Sequence, residues 1–140
     1  MKSKFTQKAQ NTLGRALECA RALEHTYIGS EHLLLGLLGE EDSAASRLLY
    51  ARGADYDSVY AIVAKNTVPE ASGIVLPSDM TPRTRRIIEI SSRIAAGYMQ
   101  NYIGTEHLLL ALCEERDSAA VRILESIGLK PAEIRADITS

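Results

Sequence analysis

Shifted by 75 positions, the sequence falls on itself without a gap. YIGSEHLLLGL at Tyr27–Leu37 returns as YIGTEHLLLAL at Tyr102–Leu112, and the same offset carries Thr6 onto Thr81, Asp42 onto Asp117 and Gly53 onto Gly128. A repeat of this length restricts the fold more than any single motif, because whatever one half builds the other must build too. Two copies are too few for a solenoid, where three or more units share a continuous core, so two like halves packed about a pseudo-twofold axis are expected.

Each half reads as four helices, which makes the chain an all-α domain. Thr6 is a good N-cap, and Leu13, Leu17, Ala20 and Leu23 follow at three- and four-residue steps, predicting an amphipathic helix from about Thr6 to Leu23. Thr81-Pro82 is a stronger start in the second half, since proline costs nothing at the first helical position, and that helix is expected to reach about Ala96. Gly14 weakens the first helix by ~1 kcal/mol relative to alanine, with no reason visible in the sequence. Gly29-Ser30 and Gly104-Thr105 read as a turn and a cap before short apolar helices. Asp42-Ser43 and Asp117-Ser118 start third helices, ended by Gly53 and Gly128 where positive φ is favoured, and fourth helices begin near Asp55 and Pro131. The stretch NTVPEASGIVLPSDM has two prolines, a glycine and no helical period. The expected organisation is one domain over 1–140: repeat one at 5–65, a linker at 66–80, and repeat two at 81–140.

At 140 residues a chain can bury a core without staples. A formal charge of -2 argues against a nucleic-acid partner, and the one arginine cluster, Arg83, Arg85 and Arg86, reads as a solvated helix face. No apolar run approaches the ~20 residues of a membrane span, and MKSKFTQKAQ lacks the apolar centre of a signal peptide, so no membrane partner is expected and cytoplasm is the default compartment. Cys19 and Cys113 have apolar neighbours and no metal-ligand spacing, and read as reduced core thiols.

No GxxxxGK[ST] loop, HExxH or ordered nucleophile-base pattern occurs, so no catalytic residue, metal site or cofactor is expected in this chain. Neighbouring residues on a helix project about 100° apart, so Glu31-His32 and Glu106-His107 are poorly placed to chelate one metal. His32 and His107 read as half-buried histidines bonded to nearby backbone. For Glu31 and Glu106 two readings stay open: partners of the helix dipole, or ligand-binding acids.

FTQKAQ, IGSEHLLLGL, MTPRTRR, IGTEHLLLAL and the segments DSAASR and DSAAVR together resemble the N-terminal domain of Clp-type ATP-driven unfoldases, over nearly the whole chain. The IG[ST]EH form in both halves and TPR at the second start are most similar to the ClpC branch. The resemblance implies two tandem four-helix Clp repeats, mobile on the rim of an ATPase ring whose modules would follow Ser140. It further implies a non-catalytic domain that receives protein substrates and adaptor proteins for a ring coupled to a ClpP-type peptidase. For ClpC-like members it implies recognition of phosphorylated arginine, with Glu31 and Glu106 on the guanidinium and Thr6 and Thr81 on the phosphate.

The chemistry of that ligand fits those residue types. A phosphoarginine carries a positive fork beside a dianionic cap, so its receptor needs an acid next to an anion-binding helix start. Each half contains both, which leads to the expectation of Thr6 with Glu31 and Thr81 with Glu106. The residues beside the threonines differ, Gln7-Lys8 against Pro82-Arg83, so unequal affinities are expected.

Overall fold

The computed structural model describes residues 4–66 and 74–139. Eight helices follow one another among these residues: α1 Gln7–Ala22, α2 Ser30–Gly39, α3 Ala44–Ala51, α4 Tyr56–Asn66, α5 Pro82–Gly97, α6 Thr105–Glu114, α7 Ala119–Ser126 and α8 Pro131–Thr139. Of the linker expected at 66–80, residues 67–73 lie outside the described residues. Residues 74–80 form no helix, and Val75 is buried against Ala16, Ala20 and Ile28.

Caps set most of the boundaries. The Ala9 amide donates to Thr6 Oγ1 at 3.1 Å and the Thr84 amide to Thr81 Oγ1 at 3.1 Å, each satisfying one of the free donors at a helix start. Ser43 and Ser118 cap α3 and α7 in the same way. Past the ends of those two helices, Gly53 at φ 94° and Gly128 at φ 91° occupy the left-handed region that a Cβ disfavours.

The core is built on α2 and α6. From Ser30 to Leu38, α2 is buried on every side, and α6 is buried from Thr105 to Cys113 apart from Glu106. The leucine runs Leu33–Leu35 and Leu108–Leu110 put apolar side chains on successive faces, so each helix must be enclosed by others: α2 touches α1, α3, α4, α5, α6 and α7. Cys19 and Cys113 are free thiols in this core; burial pushes both pKa values up, that of Cys113 to about 12, so both stay protonated and unreactive at neutral pH.

Reciprocal contacts establish the pseudo-twofold axis. Phe5 pairs with Ile103 and Met80 with Ile28, two bridges that exchange when each residue is replaced by its repeat equivalent. The Ala45 amide donates to Thr105 Oγ1 at 3.3 Å, and the Ala120 amide to Ser30 Oγ at 3.1 Å, a second exchanging pair. This use of the hydroxyls departs from the sequence reading. Gly29 and Gly104 are the cap residues of α2 and α6, while Ser30 and Thr105 stand inside the helices and stitch one half to the other.

Candidate functional site

The same bridges decide which threonine meets which glutamate. The Thr6 amide donates to Ile103 O at 2.9 Å, and the Ile103 amide to Lys4 O at 2.7 Å, so the start of α1 lies along the strand-like segment that leads into α6. Glu106 follows three residues later. Thr6 and Glu106 line one cavity of about 410 Å³, together with Lys8, Asp42, Arg47 and Tyr102. On the other side the Ile28 amide donates to Asp79 O at 2.9 Å and the Thr81 amide to Ile28 O at 3.0 Å, which sets the start of α5 against the segment leading to Glu31.

The pairing is therefore crossed: Thr6 with Glu106, and Thr81 with Glu31. The within-half pairing expected from the sequence does not occur, for a geometric reason. A 16-residue α1 is about 24 Å long, and α2 runs back along it, with Glu40 beyond its C-terminal end bonded to Asn11 and Arg15 of α1. Thr6 and Glu31 thus sit toward opposite ends of the α1–α2 pair.

Each niche draws on three helix starts. Around Thr6 these are α1, α6 and α3, the last held by the Ala45–Thr105 bond; around Thr81 they are α5, α2 and α7, held by the Ala120–Ser30 bond. Ala9 and Gln10 donate to Thr6, which leaves the first two amides of α1, Gln7 and Lys8, without an intrahelical acceptor. In α5, Thr84 and Arg85 donate to Thr81, and since Pro82 has no N–H only the Arg83 amide is left over. Convergent helix starts offer amides and partial positive charge to an anion.

Glu31 is 8% exposed and Glu106 is half-buried. Neither takes part in an ion pair among the described residues. Tyr27 Oη donates to Glu31 Oε2 at 3.2 Å. The basic side chains nearby are mostly engaged with other acids: Arg47 with Asp42, and Arg83 and Arg86 with Glu115 at 3.8 and 3.7 Å. Arg47 beside it holds the Asp42 carboxyl below its ordinary pKa.

Behind each glutamate stands a buried histidine. The Gly29 amide donates to His32 Nδ1 and the Gly104 amide to His107 Nδ1, both at 2.9 Å, which fixes the neutral tautomers with the proton on Nε2. His107 passes that proton toward Gln100 Oε1 at 2.6 Å, whereas His32 points it at His25 Nδ1 at 2.8 Å. His25 Nε2 is then buried without a partner. Burial, followed by the neighbouring His25, lowers the His32 pKa to about 3; burial also lowers that of His107, opposed by the charge on Glu106. These rings are more deeply buried than the sequence reading had them, and they bond a side chain as well as backbone.

The sequence reading gave no role to Tyr27 and Tyr102, although both stand inside the repeated motif. It also passed over Arg47 in the DSAASR segment, and over His25 and Gln100, which differ between the halves and so carry no repeat signal. A larger cleft of about 790 Å³ opens beside Arg15, Glu40 and Tyr56. Its repeat equivalents are Ile90, Glu115 and Pro131, so it has no twin of like chemistry. Among the described residues no group of three or more His, Cys, Asp or Glu could hold a metal ion, and no helix is long and apolar enough to cross a membrane.

The family model for the Clp repeat (R) N-terminal domain matches residues 4–127 and 79–140. The chain belongs to this family. The two overlapping matches agree with two Clp repeats in tandem. The chaperone protein ClpC of chloroplasts from Pisum sativum is 38% identical over 139 residues, covering 99% of this chain and 15% of that protein. The N-terminal domain of the caseinolytic protease-associated chaperone ClpD from Arabidopsis thaliana has the same fold, with a TM-score of 0.81 at 22% identity over 97% of this chain and 92% of that one. A ClpV N-domain solved in complex with a VipB peptide superposes with a TM-score of 0.73 at 16% identity, over 94% and 82% of the two chains.

Proposed function

We propose that this Clp N-domain recognises substrate and adaptor proteins for a ClpC-like unfoldase, and that its two niches hold the phosphorylated arginine side chains of marked substrates. One observation carries the reading: Glu106, free of ion pairs among the described residues, lines one cavity with the start of α1 from the other half, and the Ile28–Thr81 bond sets the segment leading to Glu31 against the start of α5 in the same way. In the first niche Glu106 takes the guanidinium, and the amides after Thr6, with Lys8 nearby, take the phosphate. Glu31 and the start of α5 at Thr81 do the same in the second. Charge-assisted bonds of both signs within one small niche select for a side chain that is cationic at its fork and anionic at its tip.

The domain itself performs no bond chemistry on this reading, and needs no cofactor, nucleic acid or membrane. Captured chains pass to the ATPase ring of the parent unfoldase and through it to a ClpP-type peptidase. Since the chain spans 15% of its ClpC relative, the ring and its ATPase activity belong to this proposal. The peptide in the ClpV N-domain complex supports a polypeptide partner. The relative is chloroplastic by name; two buried free thiols suit any reducing compartment, and we place this chain in the cytoplasm. Two modest sites per domain, multiplied around a ring, raise avidity for substrates marked more than once.

Calorimetry with free phosphoarginine tests the proposal. The chain should bind two equivalents, and Glu31→Ala combined with Glu106→Ala should abolish the heat while circular dichroism shows unchanged helix content. Equal affinity in the double variant would remove the site assignment. Adaptor capture without any heat from phosphoarginine would reduce the domain to a protein-docking module.

A further inference from the structure

Four helices in this domain, α1, α3, α5 and α7, carry a hydroxyl side chain at the cap that accepts a backbone amide. The caps of α2 and α6 are glycines instead, although serine, threonine, aspartate and asparagine are the better caps. Backbone conformation does not require glycine there. Gly29 has φ -100° and ψ 179°, and Gly104 has φ -99° and ψ 178°, extended values open to any residue.

Space explains what conformation does not. A Cβ on Gly29 would lie 2.3 Å from Glu31 Oε1 and 3.0 Å from Glu31 Cδ. On Gly104 it would lie 2.3 Å from Glu106 Oε1, 3.0 Å from Cδ and 3.3 Å from Oε2. In both niches the glutamate folds back so that its carboxylate occupies the volume a cap side chain would fill. Exposed glycines such as Gly14 and Gly53 have nothing within 4 Å of that position, and buried Gly36 is crowded by backbone of α1, so crowding by a carboxylate is what sets Gly29 and Gly104 apart.

We infer that Gly29 and Gly104 are positioning residues: by leaving the cap site empty, they hold the Glu31 and Glu106 carboxylates over the starts of α2 and α6, facing the threonine of the other half. The inference rests on the proposed phosphoarginine reading for its functional meaning, but the placement of the carboxylate can be measured without any ligand. A glutamate tip is flexible, so a Cβ at either position evicts the carboxylate rather than unfolding the helix. At position 29 Tyr27 Cε2 would also be crowded, at 3.1 Å, which makes Gly104 the cleaner site to change.

The deciding variant is Gly104→Ser, which supplies a cap hydroxyl and so favours the helix while filling the carboxylate's place. Its melting temperature should match or exceed that of the unchanged chain. Three-bond couplings should show Glu106 in a new rotamer, and calorimetry should find one phosphoarginine site in place of two, the altered niche weakened about tenfold or more. Glu106 keeping its rotamer, or two sites with unchanged affinities, would overturn the inference. If the unchanged chain binds no phosphoarginine, the ligand reading fails while the couplings still decide the glycine's role.

Discussion

Between α1 and α6 the amides of Gln7 and Lys8 lie open beside Thr6, whereas between α5 and α2 Pro82 removes one of the two equivalent donors and Arg83 is drawn toward Glu115. The acids differ in the opposite sense: Glu106 is half-buried, while Glu31 is nearly enclosed and bonded by Tyr27. One rotation relates the two niches, but the first leaves more backbone amides open and the second holds its carboxylate more firmly. A duplicated fold thus preserves the layout of a site while each copy tunes its own donors and acceptors.

The halves also differ where α1 meets α2 and α5 meets α6. A Cβ on Gly36 would stand 2.3 Å from Thr12 O and 3.2 Å from Ala16 N, both backbone atoms that cannot swing away. Its repeat equivalent, Ala111, carries that methyl group in a fully buried position. The first helix pair is therefore packed more closely than the second. Gly36→Ala should cost about 1 to 3 kcal/mol in chemical denaturation, the range for overpacked cores. A neutral result would mean that the two pairs share one spacing.

The histidine relays offer a smaller contrast. With its pKa lowered from 6.5 to about 3, His32 binds a proton less readily in the folded chain than in the unfolded one. Stability from this group is complete above pH 6.5 and falls as the pH drops toward 3. His25→Gln gives half one the partner that Gln100 provides in half two, removing the neighbouring imidazole that helps lower the His32 pKa and the buried unpartnered Nε2. Burial, the leading cause of the shift, remains. The variant should therefore lose somewhat less stability than the unchanged chain between pH 6.5 and 3, as read from urea midpoints across that range. Identical pH profiles would show that the two relays are equivalent. Glu40, Asp42 and Asp137, whose carboxyls are also held low, titrate alike in both proteins and cancel from the comparison.

Helix order and limits were legible because they depend on local chemistry: Thr6 and Thr81 cap, Pro82 starts a helix, Gly53 and Gly128 end one. The repeat added the twofold axis. What the repeat could not disclose is which copy a residue faces, since Thr6 is equally distant in pattern from Glu31 and Glu106 under a symmetric exchange. That choice is made by the Phe5–Ile103 and Ile28–Met80 bridges, contacts between segments too short to carry a strand signal. Ser30 and Thr105 were misread for a related reason, as a hydroxyl at a helix start looks like a cap until its distant partner is seen. The glycines at 29 and 104 were visible as turn residues, but the carboxylate resting on them was not.

Crossed assembly of the niches can be measured with two double variants and free phosphoarginine. Thr6→Ala with Glu106→Ala damages a single niche and should leave one equivalent bound by calorimetry, whereas Thr6→Ala with Glu31→Ala damages both and should leave none. The lost cap, about 1 kcal/mol, is common to the two and does not affect their difference. The opposite stoichiometries would show that each half builds its own site and would contradict the account.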